Sequence, residues 1–250
     1  MSKRRRHVYT EIRWHRVIIG IMVCSVLVCA GVLTAILIAP RVGNLSITER
    51  RFYFVSTASN VSLADAHRDA ENIRRMGGAG FVLNDGAAFR TVVAVYNNRA
   101  NADSVAMRLS IEESFITEVF VRILPRISFN IGDVAMARDF AALFNEPFDA
   151  VNAFYRISLD LSEGRIAESH AHSSLTFWRG RLLRSSDRVS DFSEQFGQMT
   201  TLLSEFYSSI LASLTAAAAL NFGPTLPVNI RYITIHIIEE YYRIFSHTDV

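Results

Sequence analysis

The sequence predicts an α+β chain in three parts: one N-terminal transmembrane helix, a βαββαβ module with a four-stranded antiparallel sheet, and a C-terminal helical region. Three observations carry that expectation. An uncharged apolar run fills 17–39, hydrophobic spacing alternates between strand and helix periods from 50 to about 123, and helical stripes dominate the rest of the chain.

As a helix rising about 1.5 Å per residue, 17–39 would reach roughly 35 Å, enough to cross a bilayer. Lys3, Arg4, Arg5, Arg6, Arg13 and Arg16 precede it against the single acid Glu11, a bias that keeps the N-terminus cytoplasmic, and Trp14 suits the interface. A cleaved signal peptide has the same charge order, but Leu37 stands where a small residue is expected, which favours an uncleaved anchor. The expected organisation is a basic tail (1–16), a span (17–39), a linker (40–49), the module (50–125) and the helical region (126–250). Everything from about Pro40 onward would lie outside the cytoplasm.

The 250 residues hold 26 Lys+Arg and 24 Asp+Glu, a net charge of +2. Because the tail holds six of the basic residues and one acid, the exported remainder is mildly acidic, which argues against a nucleic-acid partner. Both cysteines, Cys24 and Cys29, fall inside the span. The remainder therefore has no disulfide, thiolate metal site or cysteine nucleophile.

Within the module, 51–57 (RFYFVST) reads as a strand with Tyr53, Val55 and Thr57 on one face and Phe52, Phe54 and Ser56 on the other. Ser62 is a candidate N-cap for a helix whose Leu63, Ala66, Ala70 and Ile73 share a stripe before Gly77-Gly78. The strands 79–84 and 88–96 flank Asp85-Gly86, a dipeptide favoured in tight hairpins. A second helix follows with Ala102, Val105, Ala106 and Leu109 inward, and 115–123 (FITEVFVRI) closes the unit as a fourth strand. This split βαβ order places both helices on one sheet face, with the first and third strands central.

The second half of the module, FRTVVAVYNNRANADSVAMRL from Phe89 to Leu109, resembles the repeat of the SPOR domain, a ferredoxin-like peptidoglycan-binding module of bacterial envelope and cell-division proteins. The first half, Tyr53 to Gly78, follows the same pattern more loosely. Ala58 and Ala94 stand where the family usually has glycine, and Ser56 where it commonly has glutamine. The resemblance spans residues 50 to about 125. It implies a single-pass protein of the bacterial plasma membrane, acting in cell division or sporulation, with peptidoglycan as partner. The Asn44-Leu-Ser and Asn60-Val-Ser sequons then carry no glycosylation meaning.

Beyond the module, Pro147 suits a first helical turn, with Phe148, Val151, Tyr155 and Leu159 as one stripe before Gly164. Phe192, Phe196, Met199, Leu203, Phe206 and Ile210 alternate at spacings of four and three, a helix-packing seam. The run 201–220 contains Glu205 and six Ser or Thr residues and is expected to pack rather than to span. After Pro227, NIRYITIHIIEEYYRIF is read as a further packed helix.

Alternation places Phe52, Phe54, Ser56, Arg90, Val92 and Tyr96 on the sheet face opposite the helices, with Ala94, Glu118, Phe120 and Arg122 of like parity. Aromatic rings and the Arg90 guanidinium there are the candidate glycan site. Two readings stay open. An open, solvated face favours a glycan binder. A face covered by the helical region favours a non-enzymatic scaffold that mediates protein–protein assembly, with envelope partners or by self-association. No catalytic fingerprint appears, no cofactor is expected, and no metal is expected: His170 and His172 beside Glu168 point apart on a helix, His236 reads as a core histidine and His67 as exposed.

Overall fold

The computed structural model describes residues 42–45, 50–84, 86–108, 115–121, 127–130, 134–219 and 225–245. The chain divides into two compact units, 1–43 with 130–132 and 44–129 with 133–250. The first is described only at Val42, Gly43 and Asn130.

Strand β1 (Val42–Leu45) is followed by β2 (Arg50–Asn60), α1 (Leu63–Arg75), β3 (Phe81–Asn84), β4 (Phe89–Tyr96), α2 (Arg99–Arg108), β5 (Phe115–Val121) and β6 (Ile127–Asn130). Four of the strands form an antiparallel sheet in the order β3-β4-β2-β5, while β1 and β6 make a separate two-stranded sheet that the sequence did not suggest. Ser62 caps α1, its Oγ accepting from the Ala64 N–H at 3.2 Å, and Arg74 and Arg75 occupy the last turn, where the helix dipole favours cations. Tyr53 and Val55 of β2 pack with Ala102 of α2, and the Thr91 hydroxyl donates to the Ala66 carbonyl of α1. Both helices therefore lie on the same sheet face.

The central β2–β4 pairing is interrupted. Tyr53 faces Tyr96, Phe54 faces Val95 and Val55 faces Ala94, but Ser56 faces Val92, so Val93 is an extra residue in β4. Such a bulge leaves two residues opposite one and shifts the alternation beyond it. Val95 consequently joins Phe54 in the main core, and Tyr96 turns to the side of Tyr53. A second shift separates Ser56 from Ser59.

Four further helices are described: α3 (Val134–Ser162), α4 (Glu168–Val189), α5 (Ser193–Ala219) and α6 (Leu226–Phe245), with a 3-10 turn at Ser190–Phe192. Gly197, with φ of 29°, breaks the start of α5. The seam residues Met199, Leu203, Phe206 and Ile210 are buried. Helices α3 and α6 cover the sheet face that α1 and α2 leave free: Phe52 stacks on Phe148 at 6.0 Å, and Phe81 meets Tyr232 at 5.1 Å.

Pro147 does not open a helix as its sequence context suggests. It lies inside α3, 29 residues long. A proline has no N–H for the carbonyl four residues back. Here that carbonyl, of Leu143, accepts instead from the buried Tyr207 hydroxyl of α5 at 2.7 Å. The substitute donor lets α3 continue.

The single-pass expectation, and the plasma-membrane location built on it, is corrected. Among the described residues no helix is long and apolar enough to cross a membrane. The long helices that are described are too polar for it: α5 exposes Thr201, Ser204, Glu205 and Ser208, and α6 carries Arg231, Glu239, Glu240 and Arg243, in keeping with their expected packing role. The span expected over 17–39 lies outside the described residues, as do the tail and most of the linker.

Candidate functional site

The six residues of the candidate glycan face do not form an open surface. Phe52, Phe54, Ser56 and Val92 are 4%, 1%, 2% and 0% exposed. Phe52, Phe54 and Val92 belong to the same hydrophobic core as Phe148 of α3 and Ile233 and Ile237 of α6. Arg90 stands at the rim of that face, half-buried, opposite Ser59 and Leu83. Tyr96 is on the other side of the bulge, edge-on to Tyr155 of α3 with ring centroids 6.0 Å apart. The Phe120 side chain and Arg122 lie outside the described residues.

Where Tyr96 ends β4, a cavity of about 280 Å³ opens among β4, α3, α6 and the turn after α1. Val93, Val95, Val105 and Leu159 give it apolar walls, and Tyr96, Tyr155 and Arg231 bring polar groups. Arg231 of α6 donates through Nη1 to the Gly77 carbonyl and through Nη2 to Ser162 Oγ at 2.5 Å. It thus ties α6 to the C-terminal ends of α1 and α3, where helix dipoles are negative. Among the described residues no carboxylate lies within ion-pair distance of it. Burial, and then Tyr155, push the Tyr96 hydroxyl above the usual tyrosine range, while Arg231 pulls it back. Burial lowers the Arg231 pKa against the opposing pull of both tyrosines. Sequence reading misses this site because its members come from three distant segments, and simple alternation puts Tyr96 on the opposite face.

A second polar grouping lies on α6. One ligand atom each from His236, Glu239 and Glu240 fall within 4.8 Å of one another, a grouping that reading His236 as a core residue overlooks. Arg243 already holds Glu240 at 2.7 Å and reaches Glu205 of α5 at 3.4 Å, so a cation there would compete with a guanidinium. Burial lowers the His236 pKa and raises that of Glu239, whereas the hydrogen bond from Arg243 lowers that of Glu240. Ser209 Oγ lies 3.4 Å from His236 Nε2, which gives a hydroxyl, an imidazole and a carboxylate in sequence. Nucleophilic catalysis also needs donors aimed at a developing oxyanion. Ser209 is in the middle of α5, where neighbouring backbone N–H groups serve the helix. Among the described residues His170 and His172 of α4 join no such group, and His67 is exposed on α1.

No family model, no curated protein and no solved structure matches the chain. Nothing in these comparisons supports the likeness to the SPOR family, or the bacterial envelope, division or sporulation setting that it implied.

Proposed function

We propose that the chain is a non-enzymatic scaffold, in which the βαββαβ module shares one core with the helical region and mediates protein–protein assembly. One observation carries this reading. The sheet face that a surface ligand would need is an interior wall, with Phe54 and Val92 sealed beneath α3 and α6. The outer face of α4 supports an assembly role: Phe177 is 58% exposed and Leu183 also projects, among Arg179, Arg184 and Arg188. Exposed aromatic and Arg side chains are enriched at interfaces.

The test pairs two measurements on the purified chain. Co-sedimentation with peptidoglycan, with and without its stem peptides, should show no retention. Sedimentation velocity should show association that Phe177→Glu with Leu183→Glu abolishes. Retention that disappears in Arg90→Ala without loss of folding would return the sheet to the role of a glycan binder.

A further inference from the structure

We infer that the cavity between Tyr96, Tyr155 and Arg231 is a binding site for a small organic carboxylate with an apolar stem. The inference goes beyond the scaffold reading and stands independently of it.

The polar groups at the cavity determine what it can hold. A guanidinium has five N–H donors and no acceptor, and a phenol offers one donor. Arg231 uses two donors, on the Gly77 carbonyl and Ser162 Oγ. Neither the Tyr96 nor the Tyr155 hydroxyl makes a hydrogen bond to a described residue. The other two hydroxyls in the lining already donate to backbone: Ser158 to the Tyr155 carbonyl and Thr234 to the Ile230 carbonyl, each at 2.8 Å. What remains near the cavity is a cation and two phenolic donors, with no carboxylate among the described lining residues. All three residues are half-buried at the cavity wall, so their spare donors reach solvent and stand ready for an incoming acceptor. The partner that fits is an acceptor carrying negative charge, and Arg is the side chain best shaped to hold a carboxylate.

The walls choose between anions. Val93, Val95, Val105 and Leu159 are apolar, and half-buried Tyr155 adds a ring face. A dianion such as phosphate pays a larger desolvation cost in such a setting than a single carboxylate. At about 280 Å³ the cavity is near the lower end of small-molecule sites, which run from roughly 300 to 1,000 Å³. It suits an acid the size of phenylacetate, with the ring against the valines and the carboxylate toward Arg231.

Calorimetric titration of the purified chain with phenylacetate, phenylacetamide and inorganic phosphate tests this. Phenylacetate should bind most tightly of the three. The Tyr96→Phe, Tyr155→Phe double variant keeps both rings and should bind it about ten- to a hundredfold more weakly with its melting temperature unchanged, as expected for lost hydrogen bonds to a charged group. Arg231→Gln should weaken phenylacetate and leave phenylacetamide unaffected. The inference fails if phenylacetate does not bind, if its amide or phosphate binds as well, or if the double variant binds it like the parent. It also fails if Arg231→Gln lowers the melting temperature but leaves phenylacetate affinity unchanged, because Arg231 is then only a clamp between helix ends.

Discussion

Tyr207 is fully buried, yet its hydroxyl is committed to one acceptor, the Leu143 carbonyl that Pro147 cannot serve. Removing that hydroxyl should leave a buried carbonyl unsatisfied. Tyr207→Phe is therefore expected to cost about 1–3 kcal/mol in urea unfolding. Pro147→Ala supplies an N–H four residues from Leu143, so in the Tyr207→Phe background it should recover part of the loss. Equal, additive effects of the two substitutions would show that the hydroxyl and the missing N–H are unrelated. The proline was legible in the sequence as a helix signal but misplaced within its helix. The compensating group lies 64 residues from Leu143, and no local pattern links them.

Among the elements, the turn from α1 into β3 has little room. Gly80 has φ of +56°, and a Cβ there would overlap the Ala70 carbonyl and press on the Arg74 side chain. Gly86, in the β3–β4 turn, has φ of +84° and open space around it. Gly86→Ala should cost about 1–2 kcal/mol for the left-handed backbone alone, and Gly80→Ala clearly more. Comparable unfolding midpoints for the two variants would contradict the packing described. The strand and helix periods from Arg50 to Val121 were legible because alternation and stripes are local properties. The bulge at Val93 was not: VVAV reads as unbroken alternation, and the side each residue faces depends on its partner in β2. That one residue explains why alternation puts Tyr96 on the wrong face and why the cavity is invisible in the sequence.

At the scale of the whole molecule, the sheet is apolar on both faces, and sequence alone left open whether the second face met solvent or helices. Its covering by α3 and α6 predicts that residues 50–125 will not fold alone, since Phe52, Phe54, Phe81 and Val92 would form a large exposed apolar patch. Expressed separately, the segment should aggregate or lack a cooperative unfolding transition. A soluble fragment with a sharp transition would show that the module owes nothing to the helices. Within the intact chain, Phe54→Asp should unfold the module and the helices together, because an unpaired carboxylate there sits in their shared core.

The proline in α3 also bears on synthesis. A ribosome adding roughly 5–20 residues per second releases Leu143 about 3–13 seconds before Tyr207. Through that interval α3 must keep one carbonyl turned to water, and the helix closes its gap only when α5 arrives.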